Sequence, residues 1–362
     1  MIKRKKIIAV TIGLIMMFSV TTAYAAGRVY SNKNLDDLKQ YVETDSINVQ
    51  VIDLEKKAIE SQYYEAYKQL VEYKKQTAIQ QNQVDRLYFQ MGQYQKKLKQ
   101  QKLVEKYQLQ VQYYNICLLM KQLNLAKSEL ELINKQIEVE EEKLNQGLST
   151  QLAVDDLKSR KKLASDNITS ITNAIELGKS EMKVKLNENK DVVFDPNFVI
   201  PTDVQGEDTY NLSTLTSKCK ENNLQLAEIN ANIAFQSVLV NSIKSYVGDG
   251  DSSYIAVNTE LSNLLLNKET VDKELSLYVE KQYNSFKNSL NNYNSMIQRK
   301  DILNRQLTVI DEQYNAGQIS QLEKLTQRYS VLQELLDVDK AIVDKLNAIT
   351  VMELVEEGIQ LQ

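Results

Sequence analysis

An eleven-residue pattern occurs twice in the chain, 170 positions apart, and each copy interrupts a long heptad-patterned segment. The copies are Glu142-Lys143-Leu144-Asn145-Gln146-Gly147-Leu148-Ser149-Thr150-Gln151-Leu152 and Glu312-Gln313-Tyr314-Asn315-Ala316-Gly317-Gln318-Ile319-Ser320-Gln321-Leu322. Glu, Asn, Gly, Gln and Leu are shared, and Thr150 stands opposite Ser320. A glycine close behind an asparagine ends one helix, and a hydroxyl residue three positions later caps the next, so each copy reads as a tight turn between helices. A chain carrying two such turns is expected to be a duplicated helical hairpin with two similar tips.

A second internal match supports duplication. Leu35, Leu38, Val42, Asp45, Ser46, Ile47 and Val49 align with Leu212, Leu215, Cys219, Asn222, Asn223, Leu224 and Leu226 at an offset of 177, so the halves differ by a net insertion of seven residues between the two landmarks. Each half opens with a short helix, turns at Asp45-Ser46 or Asn222-Asn223, and enters a long helical stretch. The expected layout is a first helical repeat over 26–190, a crossover linker over 191–210 and a second repeat over 211–362. The linker holds both prolines, Pro196 and Pro201, and a short β-like run, Asn197 to Ile200.

The heptads say how these helices pack. Val104, Val111, Leu118, Leu125, Leu132 and Val139 recur every seven residues, and so do Leu109, Ile116, Leu123, Leu130, Ile137 and Leu144. Five residues separate the two series, which places them roughly 150° apart around the helix. One seam suffices for a two-stranded coiled coil; a second predicts a neighbour on each flank. The fold class read from this is all-α: duplicated long antiparallel hairpins with coiled-coil packing, forming an α-barrel-like wall on oligomerisation.

A single helix from Ile47 to Gln146 would run about 150 Å, so a reversal is expected inside it. Gln90 to Gln101, where Gly92 appears and the heptad frame changes, is the expected place. In the second half Gly248-Asp249-Gly250-Asp251-Ser252-Ser253 marks the reversal. This acidic loop lacks the continuing ligand positions and final glutamate of an EF-hand, so it reads as a plain turn.

Composition narrows the function. Lys3, Arg4, Lys5 and Lys6 precede the apolar run Ile7 to Val20 and then Ala23-Tyr24-Ala25, the form of a secretory signal peptide over residues 1–25. A retained anchor would need roughly 20 apolar residues. Removing those four cations from 44 leaves 40 basic against 48 acidic residues, a formal charge of −8, which disfavours nucleic acid as a partner. The chain has no histidine, hence neither the usual general base nor the commonest zinc ligand. No glycine-rich phosphate loop or nucleophile elbow occurs. The clusters Asp155-Asp156 and Glu140-Glu141-Glu142 suit solvated helix surface. The chain therefore reads as a non-enzyme with no cofactor and no metal. Cys117 and Cys219 are either a disulfide or two buried thiols.

A duplicated helical chain with these tips resembles the TolC family of tunnel proteins, the outer-membrane efflux proteins and type I export tunnels. The second tip carries the pattern as Tyr314, Gly317, Ser320, Leu322, Glu323 and Leu325; the first keeps Gly147, Thr150, Leu152 and Leu157. Lys220-Glu221-Asn222-Asn223-Leu224 is similar to the family's entry into its long helices. The resemblance implies three copies forming one tube, with a periplasmic-type adaptor (membrane fusion) protein and an inner-membrane transporter as partners. It also implies tips that open and close the tube near the inner membrane. Tyr314 matches the family's gate tyrosine and Glu323 its acid six residues after the tip glycine, whereas the first repeat has Ala153 there and Ile319 stands where an arginine completes the closing network. Family members also insert a β-hairpin per repeat at the membrane end. A spanning hairpin needs some 20 residues, and only Ser253 to Asn258 is even a candidate, so a barrel-less variant that does not cross an outer membrane is expected.

The leading expectation is an exported, envelope-located tunnel component of an efflux or type I export system. It would dock an adaptor through Gly147, Leu148, Ser149 and Thr150 with Gly317, Gln318, Ile319 and Ser320, and Tyr314 and Glu323 would form an aperture. The alternative is a coiled-coil scaffold or regulator of the envelope with no lumen. An adaptor would need β-rich domains that the sequence lacks.

Overall fold

The computed structural model describes residues 30–72, 78–189, 191–202, 204 and 209–361; the expected signal peptide lies outside them. Among the described residues all regular structure is helical. The elements are α1 Leu35–Asp45, α2 Ile47–Glu72, α3 Ala78–Asn145, α4 Gln151–Lys185, α5 Leu212–Asn222, α6 Leu224–Val247, α7 Ser252–Asn315 and α8 Gln321–Glu356. The second four repeat the first four. Helix α2 is two residues longer than α6 and α3 four longer than α7, which accounts for most of the seven-residue insertion.

Local chemistry sets the helix ends. Asn34 caps α1 through a reciprocal box with Asp37, and Asn211 caps α5 by accepting from the Thr214 N–H at 3.0 Å. Asn223 does the same for α6 at the Leu226 N–H, 2.8 Å. Gly248, at φ +81°, ends α6, and the Asp251 carboxylate caps α7 at the Ser253 N–H, 2.7 Å. The acidic loop is thus a turn in which one acid has a capping role.

Two long rods organise the molecule. Helix α3, 68 residues, spans about 100 Å, and α7, 64 residues, nearly as much. Helices α2 and α4 both pack on α3, as α6 and α8 do on α7, so two shorter helices cover the halves of each rod. The hairpins join because α3 also packs on α8 and α6. The layer order is α4, α3, α8, α7 towards the tips and α2, α3, α6, α7 at the other end. No substantial packing joins α4 to α7, so the layer is an open wall with two edges, not a closed bundle.

This order revises two expectations. The second apolar seam of α3 is covered within one chain: Leu132 is buried and Val104, Val111, Leu118, Leu125 and Val139 are partly covered. On this flank Lys121 pairs with Asp339 at 3.5 Å and the Gln110 amide donates to Asn347 and Thr350 of α8. A double seam therefore needs two neighbours, but not a second copy. The first-half reversal is also not at Gln90–Gln101, which lies inside continuous α3. Helix α2 ends at Glu72, α3 begins at Ala78, and the two pack against each other. Gly92 is tolerated there because a lone glycine in a helix costs only about 1 kcal/mol, and the frame change marks a switch of neighbour.

The main core lies where α1 and α5 cross the rods, with Tyr30, Leu38, Met182, Leu215, Cys219 and Leu275 fully buried. Cys117 and Cys219 are free buried thiols, pushed up to about 12 and about 11 by desolvation. The β-like run Asn197–Ile200 pairs with no strand. The Tyr113 hydroxyl donates to the Asn197 carbonyl and accepts from the Val199 N–H, the Asn197 N–H donates to the Lys33 carbonyl at 2.8 Å, and Phe198 packs on the Tyr113 ring. Tyr254 to Val257, the candidate strand, is the first turns of α7. No helix among the described residues is long and apolar enough to cross a membrane.

Candidate functional site

The two tips share one construction. Gly147 at φ +73° and Gly317 at φ +69° adopt the left-handed conformation that a side chain resists. The next residue's N–H then reaches back to the helix: Leu148 to the Lys143 carbonyl at 2.8 Å, Gln318 to the Gln313 carbonyl at 2.9 Å. Thr150 caps α4 by accepting from the Ala153 N–H, and Ser320 caps α8 by accepting from the Glu323 N–H at 3.2 Å.

The two caps differ in one respect. The Glu323 carboxylate accepts from both the N–H (2.7 Å) and the hydroxyl (2.8 Å) of Ser320, completing a capping box, and those bonds hold it below the usual glutamate range. Ala153 cannot reciprocate, so the first cap is half a box. Its loop is tied instead by the Ser149 hydroxyl, which donates to the Glu140 carboxylate of α3 and, with Lys143, lowers that acid's pKa.

Each hairpin is braced below its turn by an ion pair at repeat-equivalent positions: Glu141–Lys158 at 2.8 Å and Asp311–Arg328 at 2.6 Å. In the second tip Lys324 adds a contact to Asp311 at 3.0 Å and sits 4.4 Å from the centre of the Tyr314 ring, a cation–π contact. The hydrogen bond from Lys324, then Arg328, depresses the Asp311 pKa. Tyr314 and Glu323 are thus engaged separately, one by Lys324 and the other by Ser320.

The surfaces also differ. Leu148 is 73% and Leu152 79% exposed at the first tip, whereas Gln318 and half-covered Leu322 take those places in the second. Ile319 packs against the core rim. Sequence reasoning missed Leu152 as surface and missed the Asp311–Arg328 brace. The brace was legible in one respect: an acid and a cation recur 17 residues apart across both turns.

No family model matches the chain, and no curated protein matches it. Solved structures do. The chain is similar to CusC, described as forming a transmembrane channel, with 11% identity, a TM-score of 0.65, and 92% of this chain and 95% of that one covered. It is similar to the outer-membrane protein VceC of Vibrio cholerae, with 10% identity, TM-score 0.61, and 90% and 96% covered. The Campylobacter jejuni CmeC outer-membrane channel matches at 11% identity and TM-score 0.60, with 90% and 86% covered. The fold of this chain is therefore that of the TolC-like channels.

Proposed function

We propose that this chain is a wall segment of an exported, TolC-like helical tunnel serving an efflux or type I export system in the cell envelope. The observation that carries the reading is the open wall. A single copy ends in two uncovered rods, α4 and α7, and a ring of copies, three by resemblance to the family, covers both. The channel function of the solved proteins with this fold supports the same reading.

In this reading the tips face an adaptor protein that connects the tube to an inner-membrane transporter. Gly147 to Thr150 and Gly317 to Ser320 form the contact surface, and the exposed pair Leu148 and Leu152 supplies its apolar anchor. The contribution of the chain is binding and gating, without covalent chemistry. Tyr314, held under Lys324, and Glu323 line the aperture, and opening requires the Asp311–Lys324–Arg328 brace to re-form or move with α8. In the second half the far end turns within 248–251, too few residues for a spanning β-hairpin of some 20, so that turn supplies the tube with no barrel strands.

The test is a photo-crosslinker placed at Ser320 or Leu148 in cells. Capture of an envelope adaptor, lost in Leu148→Asp/Leu152→Asp while the protein still folds, supports docking; capture of no envelope protein from either tip overturns it. Electron microscopy of the purified chain checks the ring, and a stable single particle at every concentration would leave the scaffold reading in its place.

A further inference from the structure

We propose that a polar hollow between α3, α7 and α8 is a binding site for a small, hydroxyl-rich organic amine. The hollow has a volume of about 260 Å³ and is lined by Tyr107 of α3, by Gln282, Ser285, Phe286 and Ser289 of α7 and by Asp344 of α8, among others. That is smaller than the roughly 300 to 1,000 Å³ of sites for drug-sized molecules, so the ligand is small. The site is complete within one chain and stands or falls apart from the ring.

Its polar groups have no partner in the chain. The Asp344 carboxylate and the side chains of Tyr107, Gln282, Ser285 and Ser289 make no hydrogen bond or ion pair among the described residues. The two serines depart from the habit of their own helix. Ser276 and Ser295 each return the hydroxyl to the carbonyl four residues back, at 2.9 and 3.0 Å, and Ser285 and Ser289 do not. Desolvation raises the Asp344 pKa above the ordinary 3.8. Lys340, the cation that opposes this, is itself bonded to Asp337 at 2.8 Å, so the carboxylate is short of a counter-charge.

The first repeat shows that the fold does not require this chemistry. The residues 170 positions earlier are Ala174 for Asp344 and Leu119 for Ser289. Helix α4 also comes close to α3 there: a Cβ on Gly178, the counterpart of Ala348, would stand 3.0 Å from the Cγ1 of Ile116, the counterpart of Phe286. One copy of the groove is thus closed by apolar packing, and the other is open and polar. A departure from packing at one copy of a repeated position is the mark of a binding position.

The groups select the class of ligand. A carboxylate without a paired cation takes an ammonium, with a charge-assisted hydrogen bond. The hydroxyls of Tyr107, Ser285 and Ser289 and the amide of Gln282 can each donate or accept, which suits ligand hydroxyls. Phe286 gives the hollow an aromatic lining for the apolar side of the ligand. Asp344 repels anions, and one carboxylate is a poor set for a bare metal ion, which takes several oxygen ligands. An amino sugar carries an amine and several hydroxyls at this size.

Saturation-transfer NMR titrations of the purified chain with glucosamine, glucose and N-acetylglucosamine test the site. Glucosamine should bind, and the two neutral sugars should bind at least about tenfold more weakly. Asp344→Asn should weaken glucosamine by at least about tenfold, as should Ser289→Leu, which copies the first repeat, whereas Asp301→Asn, further along α7, should leave it unchanged. Unchanged melting temperatures keep these losses local, and if Ser289→Leu melts lower, Asp344→Asn decides. No transfer to glucosamine at about 50 mM overturns the proposal, as does equal binding of the neutral sugars or binding indifferent to Asp344→Asn. A loss in Asp301→Asn as large as that in Asp344→Asn would show only the general attraction of an acidic chain for cations, and overturns the site as well.

Discussion

Glu105 and Lys185 form an ion pair at 2.9 Å, with the Glu105 side chain only 1% exposed, at the place where the second repeat buries Leu275 and Val355. One fold position is thus solved by charge in one half and by apolar packing in the other. Asn48 and Gln101 also donate to Glu105, at 2.7 and 2.9 Å, so the buried carboxylate has its lone pairs met.

Removing one partner should therefore hurt far more than removing both. Lys185→Met leaves a buried carboxylate without its cation and should destabilise the chain by about 3–5 kcal/mol, whereas Glu105→Leu/Lys185→Val, which copies the second repeat, should be neutral or stabilising. Denaturant unfolding of the three proteins checks the order. A double variant as unstable as the single one would show that the pair is an active source of stability.

The same pair gives a pH dependence. Burial alone would raise the Glu105 pKa, but hydrogen bonds from Asn48 and Lys185 and the Lys185 charge hold it below the ordinary value of 4.5. A depressed folded-state pKa means the unfolded chain binds the proton first, so this contribution is complete above about pH 5 and is lost as pH falls through the folded value. Unfolding free energy measured from pH 7 down to pH 3 should fall less steeply in Glu105→Leu/Lys185→Val than in the parent.

Gly358 should tolerate no side chain. At φ +74°, a Cβ there would lie 2.3 Å from the Asn222 carbonyl carbon and 2.4 Å from the Asn223 nitrogen, both backbone atoms that cannot swing aside. Gly358→Ala should break the bond from the Asn223 amide to the Gly358 carbonyl, 3.0 Å, and release the segment after α8. Limited proteolysis should cut after Glu356 much faster in the variant, with a loss of more than about 1 kcal/mol in stability.

The tip caps should act independently. Thr150→Ala and Ser320→Ala each remove an acceptor for a helix N–H and should cost about 1 kcal/mol. Ser320→Ala should be the worse of the two because it also strips Glu323 of the hydroxyl donor, leaving only the backbone N–H of residue 320. The tips belong to separate hairpins, so the double variant should show the sum to within about 0.5 kcal/mol in thermal melts.

Both thiols should be silent until the chain unfolds. With Cys117 pushed up to about 12 and Cys219 to about 11, little thiolate exists at pH 8, and neither sulfur is accessible. A thiol reagent should count none in the native protein and two in denaturant under non-reducing conditions.

The sequence by itself determined where helices end, because capping is local: Asn34, Thr150, Asn211, Asn223 and Ser320 each reach an N–H group only three residues away, and Gly147 and Gly317 set the turns with their own backbone. It also determined the duplication and the double seam of α3. Which helix covers which seam was decided by the tertiary structure alone. A heptad stripe such as Val104 to Val139 states that cover is needed, but not whether α8 of the same chain or a rod of another copy supplies it. For the same reason the first reversal was misplaced at Gly92: a change of frame looks alike whether the chain turns back or a rod passes from one neighbour to the next. The exposed Leu148 and Leu152, and the contrast between Val184 and its buried counterpart Leu354, likewise exist only in three dimensions, since identical repeat positions become core or surface according to what stands beside them.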